Sequence, residues 1–236
     1  MQVLAGTSGY SYQEWKGFFY PDKLPAGEML RFYAERFPTV EINNTFYRMP
    51  AAEMLSRWAR AVPESFAFTL KAPRRITHEK RLHEAESEVT AFLQRAAALG
   101  DRLGVLLFQL PPFLKKDLPR LVDFLGALPA ERRVAFEFRN ASWQDDSVYE
   151  ALRARGAALC IADTEKGETP LVSTAEYGYL RLRRAQYDDR ELSAWVERIA
   201  AQPWVRAYVY FKHEDEALGP RFAARFNELW RTARSG

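Results

Sequence analysis

The chain has 236 residues, 47% hydrophobic, 14% aromatic and 28% charged, which suffices for one large domain or two small ones and excludes disorder throughout. A net charge of +3 and a sequence pI near 8.9 are mildly basic and argue only weakly for a polyanionic partner. Cys160 is the only cysteine, so an intrachain disulfide framework is excluded and a reducing cytoplasm is the expected location.

The opening stretch, MQVLAGTSGYSYQEW, has no basic segment followed by a long apolar run, so no signal peptide is expected. No run of about 18 apolar residues occurs, so no membrane span is expected either. A strand is predicted at 2–6, then a helix at 27–37, a strand at 39–43 and a helix at 51–61. A third strand at 66–71 precedes a helix at 85–99, where Val89, Phe92, Leu93 and Ala96 fall on one face at helical spacing. A strand at 104–110 leads to a helix at 117–127, which Asp117 can cap with Pro119 tolerated in the first turn. A strand at 134–139, a helix at 146–155 and a strand at 157–162 follow. Residues 163–177, DTEKGETPLVSTAEY, carry no long helical pattern, so an irregular unit is expected after the sixth strand. The chain ends with a strand at 178–183, a helix at 188–201, a strand at 206–212 and a helix at 217–233.

Strands alternating with helical crossovers predict a parallel sheet, and eight such strands in this length predict a single α/β domain over 1–236, a (β/α)8 TIM-like barrel. Side chains alternate along a strand, so in a closed barrel one parity packs under the helices and the other faces the axis. Val40 and Ile42, Phe66, Phe68 and Leu70, and Val134, Phe136 and Phe138 form a helix-facing set. The opposite parity carries Glu41 and Asn43, Lys71, Gln109, Glu137 and Arg139, Arg181 and Arg183, and Tyr210 and Lys212. These residues sit late in their strands, so they should gather at the C-terminal mouth, where barrel enzymes keep their chemistry.

In that cluster cations exceed carboxylates even if Asp163 joins it, which predicts a small anionic ligand such as a phosphate ester or carboxylate, with arginine suited to bidentate binding. Glu41 and Glu137 are the acid/base candidates. The bland alternative is a set of structural ion pairs, including one between Glu137 and Arg139. Lys71 suits anion holding better than a Schiff base, though both fit a barrel lysine. His78 is a candidate proton shuttle or a loop pin. No cofactor is predicted; a divalent metal on Glu41, Glu137, Asp163 and His78 is a weaker alternative. Gly6 and Gly9 in GTSGY fit a tight turn better than a phosphate loop. The aromatics Tyr10, Tyr12, Trp15, Phe46, Tyr47 and Trp143 follow strand ends and could wall a ligand ring. The basic loop RRITHEKR at 74–81 reads as a solvated loop, with nucleic-acid binding as the alternative.

Seven ordered stretches, GTSGYSYQEWKGFFYP, VEINNTFYRMP, FTLKAPRRITHEKRL, FQLPP, EFRNASW, CIADT and YVYFKH, together resemble the YecE-like family, known as domain of unknown function 72. The resemblance runs from residue 6 to residue 213. It implies a TIM barrel, no particular reaction, and pocket residues Tyr10, Trp15, Glu41, Asn43, Lys71, His78, Gln109, Glu137, Arg139, Trp143 and Asp163. Where relatives often read RLHG after the seventh strand this chain reads RLRR, with Arg183 and Arg184, and where they often read YFNN after the eighth it reads YFKH, with Lys212 and His213. The expectation is an enzyme doing metal-independent acid/base chemistry on a sugar-phosphate-like metabolite, in which Glu41 or Glu137 takes a proton, Lys71 and Arg139 hold the anion, and Trp143 and Tyr10 wall the site. Nucleic-acid binding or processing and a non-catalytic ligand-binding or scaffold role are the alternatives.

Overall fold

A computed structural model describes residues 1–212 and 217–235. His213, one half of the second departure from the family pattern, lies outside the described residues. In most strands one parity packs under the helices and the other faces the axis, and the closed sheet buries both. Strands β1 (Gln2–Ser8), β2 (Thr39–Ile42), β3 (Ala67–Lys71), β4 (Leu103–Gln109), β5 (Val134–Glu137), β6 (Ala158–Thr164), β8 (Tyr177–Leu182) and β9 (Arg206–Phe211) form a closed parallel barrel, sealed by the β5–β6 and β1–β9 pairings. Helices α1 (Met29–Ala34), α2 (Ala52–Arg60), α3 (Glu86–Ala96), α4 (Leu118–Gly126), α5 (Asp146–Arg155), α6 (Asp189–Ala200) and α7 (Leu218–Ser235) complete a single TIM-like (β/α)8 arrangement.

The irregular unit after β6 is a short antiparallel hairpin. Strand β7 (Gly167–Glu168) folds back on the end of β6, with Asp163 opposite Glu168 and Thr164 opposite Gly167. Local capping sets several helix starts. Asp117 accepts a hydrogen bond from the Arg120 amide at 3.1 Å, with proline in the first turn of α4. Asp188 and Glu191 form a reciprocal capping box at α6. Gly156, at φ 66°, ends α5 in the left-handed region.

Two packed interiors result. The larger lies between sheet and helices and takes Val40, Ile42, Phe68, Phe136, Leu180 and Val209. The smaller fills the barrel axis with Leu4, Val105, Leu107, Cys160, Tyr179 and Tyr208 among others. The axis is therefore a filled core, not a channel. Tyr210 belongs to this filling. Its hydroxyl lies 2.8 Å from Thr39 Oγ1 and 2.7 Å from Thr69 Oγ1. Thr39 donates to the Ala67 carbonyl at 2.7 Å, so Tyr210 donates to Thr39 and accepts from Thr69. The hydroxyls of Thr39, Thr69 and Tyr210 are thereby all paired.

Candidate functional site

Parallel register stacks the late inward residues into one layer above that filling. Ser8 pairs with Glu41 across β1 and β2, and Gln109 pairs with Glu137 across β4 and β5. Gly6 permits the close approach of β1 to β2, since a Cβ there would stand 2.1 Å from the Thr39 carbonyl oxygen. Gly9, at φ 97°, turns the chain away from β1 while its amide donates to the Glu41 carbonyl at 2.8 Å. The GTSGY stretch is thus the end of β1 and the bend after it, and it seats Glu41.

Arg181 of β8 binds both carboxylates. Its Nη2 donates to Glu41 Oε1 at 2.8 Å and its Nη1 to Glu137 Oε2 at 2.5 Å, and all three side chains are buried. Glu41 is saturated. Ser8 donates to Oε1 at 2.8 Å, Asn43 to the same atom at 3.1 Å, and the Tyr179 hydroxyl to Oε2. Burial by itself would raise the Glu41 pKa, but the Arg181 charge and these donors outweigh it and hold the carboxyl well below its usual range. Burial is outweighed at Glu137 too, by Arg181, Arg183 and the Gln109 amide. Tyr179 is pushed well above its ordinary value by burial and by Glu41, so it remains a donor. Neither carboxyl can supply a proton near neutral pH. Glu41 already accepts four hydrogen bonds, three of them at Oε1, which makes it a poor proton acceptor.

Lys71 continues the layer without an ion pair of its own to either glutamate. Its Nζ donates to Gln109 Oε1 at 2.7 Å, and Gln109 Nε2 donates to Glu137 Oε1 at 2.9 Å. The ammonium also lies 4.1 Å from the centre of the Phe46 ring. Burial and the Arg181 charge bring the Lys71 amine down to about 8, against the pull of Glu137 and Glu41. His78 packs edge-on against the same Phe46 ring, with centroids 4.9 Å apart, from a π-helical turn at Arg75–Glu79. Burial, Lys71 and Arg139 lower its pKa, so it is a neutral imidazole at pH 7. Burial and Arg181 oppose the charge of Arg183 as well.

The structure thus brings together Glu41, Asn43, Lys71, Gln109, Glu137 and Arg181, with His78, Arg139 and Arg183 around them. Lys212 follows β9 on the inward parity of Tyr210, which itself lies a layer below and is closed off from the mouth. Other expected pocket residues are elsewhere. Trp143 is buried and stacks on Phe138 at 4.7 Å on the helix side, with its indole donating to the Leu114 carbonyl. Trp15 is buried against Tyr12 and Tyr20. Tyr10 packs on Tyr33 of α1 and Trp58 of α2. These rings do not wall the mouth, because the loops carrying them fold back over the helical layer. Asp163 shares the outward parity of Leu159 and Ile161. It accepts from Arg184 at 3.0 Å, Tyr187 at 2.9 Å and Trp195 at 3.3 Å. Of the Arg183–Arg184 pair, then, Arg184 is an outward structural cation that also meets Glu191 at 2.8 Å.

The Glu137–Arg139 ion pair of the bland alternative is not formed; Glu137 pairs with Arg181 across the barrel, and Arg139 is exposed. Among the described residues no three His, Cys, Asp or Glu side chains gather into a metal site. The set Glu41, Glu137, Asp163 and His78 is divided between the two sides of the barrel wall. Sequence reasoning missed Ser8 and Tyr179 as partners of Glu41. The inward parity that singled out Arg181 also passes through Tyr179 two residues earlier, and so held the signal. No helix among the described residues is long and apolar enough to cross a membrane.

The comparisons agree with this architecture. YecE of Escherichia coli (strain K12) is 33% identical over 141 residues, covering 57% of this chain and 52% of YecE, so the match spans about half of that relative's length. YunF of Bacillus subtilis (strain 168) is 25% identical over 231 residues, covering 92% of this chain and 80% of YunF. A DUF72 family protein from Thermotoga maritima MSB8, known from its crystal structure, superposes with a TM-score of 0.87 at 27% identity, covering 98% of this chain and 100% of that one. The family model described as "Protein of unknown function DUF72" matches residues 4–236, and the chain belongs to that family.

Proposed function

We propose that the mouth of the barrel binds a small anionic metabolite, a phosphate ester or carboxylate, and that the protein is an enzyme acting on it by proton transfer. One observation carries this reading. Arg181 takes up both buried carboxylates, so Lys71 is left with a neutral amide and a ring as its close partners. Burial and the neighbouring Arg181 charge lower both Lys71 and Arg183, and a bound anion would offset both. The roles shift accordingly. Glu41 and Glu137 position Arg181, whereas Lys71, whose amine is brought down to about 8, and His78, a neutral imidazole beside the same ring, are the acid/base pair. Arg139 and Lys212 supply further positive charge at the rim.

The test is a thermal-shift series with sugar phosphates, dicarboxylates and inorganic phosphate, run on the protein and on Arg183→Ala. A ligand that binds only the folded form at a hundred times its Kd adds about 2.7 kcal/mol of stability. A rise in Tm that the Arg183→Ala variant loses supports the reading; no rise with any phosphorylated or carboxylated compound overturns it.

A nucleic-acid reading keeps one observation in its favour. Tyr47 and Phe113 are 81% and 63% exposed on loops that follow strand ends and offer stacking surfaces. The basic loop at 74–81 supports it poorly, because Arg74 meets Glu79 while Arg75 and Lys80 both meet Glu88. Oligonucleotide binding that weakens steeply with salt would favour it.

A further inference from the structure

We propose that Lys71 is a carbonyl-reactive amine that condenses with the aldehyde or ketone group of an anionic substrate to form an imine. The proposal rests on the anion-binding reading of the mouth and narrows its substrate class to molecules carrying both a carbonyl and an acidic group. Its basis is geometric. Lys71 ends β3 at the mouth, partly accessible, with its Nζ 2.7 Å from Gln109 Oε1 and 4.1 Å from the Phe46 ring centre. Gln109 is a spacer: its amide turns the other way to Glu137, which is already committed to Arg181. A lysine kept from direct pairing with a carboxylate, half-desolvated and beside another cation, meets the conditions under which an amine becomes a nucleophile near neutral pH. The same surroundings lower its proton affinity. The charged groups that act on it are Arg181 and Arg183 from β8 and the loop after it, Glu137 from β5 and Glu41 from β2, and its own charge acts on His78.

The neutral amine attacks the carbonyl carbon. A C–N bond forms as the C=O π bond opens, and a proton passes from nitrogen to oxygen to give a carbinolamine. The hydroxyl then takes up a proton and departs as water as the nitrogen lone pair forms the C=N bond, and the remaining N–H proton of the resulting iminium is given up to replace the one consumed, which leaves the imine. Nothing is oxidised or reduced. His78, a neutral imidazole against the same Phe46 ring, is the group that relays the proton.

The experiment traps the imine with sodium cyanoborohydride on the full chain at pH 7.5, followed by peptide mass spectrometry. Glyoxylate and glyceraldehyde 3-phosphate are the charged probes and acetaldehyde the neutral one; the exposed Lys23 and Lys166 serve as internal references. A fall from an ordinary lysine pKa to about 8 means on the order of a hundredfold more free amine at this pH. Part of that gain is offset by weaker intrinsic nucleophilicity, so Lys71 is expected to label at least tenfold faster than either reference with the charged probes. Equal labelling of all three lysines overturns the proposal. If inorganic phosphate raises the Tm while Lys71 stays unlabelled, the imine fails and the anion site stands. If acetaldehyde labels Lys71 selectively and the charged probes do no better, the amine is reactive and the anion reading fails.

Discussion

Removing the Arg181 guanidinium by Arg181→Leu would leave Glu41 and Glu137 buried together without the cation that each now meets, at 2.8 and 2.5 Å. Breaking a buried ion pair by deleting one partner costs about 3–5 kcal/mol, a large share of the roughly 5–15 kcal/mol that holds a domain folded. For a chain of this length that is a fall in Tm of roughly 6–20 °C. The pH dependence identifies the cause. In the natural protein both carboxyls titrate below their unfolded values, so their stabilisation is complete above about pH 4.3 and is lost only as pH falls through the folded values. In the variant, burial dominates and the folded values rise above the unfolded ones. The folded variant then holds protons that its unfolded chain has released, and its deficit grows from pH 5 to pH 8. Guanidinium denaturation at both pH values measures this. The triple variant Glu41→Gln, Glu137→Gln, Arg181→Leu should lose the pH dependence. A deficit under about 1 kcal/mol, or one that is equal at pH 5 and pH 8, would refute the account of the floor as a single charge-balanced unit.

Lys71→Met should stabilise the protein at pH 7 by roughly 1–3 kcal/mol, after discounting for partial exposure. The penalty on the Lys71 cation is full below its folded value of about 8 and is relieved as pH rises toward an unfolded value near 10.4, so the variant's advantage should vanish by about pH 10; a less stable variant at pH 7 contradicts the reasoning. Asp117→Ala removes the cap on the Arg120 amide and should cost about 1 kcal/mol in denaturant titrations, with Asp117→Asn restoring most of it. Gly6→Ala drives a methyl group into the Thr39 carbonyl and should cost roughly 2–3 kcal/mol or more, read as a loss of folded protein or of Tm; an unchanged Tm would mean that the β1–β2 contact yields.

Strand order, helix order and the inward set were legible because most strands alternate large apolar and polar side chains, as TVEIN and VAFEFR do. Strand β6 hides its parity. In ALCIADT both faces are apolar, and the smaller inward residues Ala158, Cys160 and Ala162 were the one hint that Asp163 would point outward. The β7 hairpin is two residues long, too short for any periodicity to register. The pairing of Arg181 with two glutamates was not legible, since it joins β8 to β2 and β5, strands that are not neighbours and meet only through closure of the barrel. Trp15 and Trp143 follow strand ends as a site residue would, but position along the chain does not say which way a loop folds.

The floor beneath the mouth is held by its own contacts: Arg181 answers Glu41 and Glu137, Gln109 links Glu137 to Lys71, and Asn43, Ser8 and Tyr179 add donors to Glu41. Foundations and furnishings are therefore separable during descent. A lineage can exchange Arg139, Arg183 or Lys212 for other side chains and acquire a new chemical taste without reopening the buried arrangement below. Kinship within this family then guarantees the vessel, and the contents have to be established member by member.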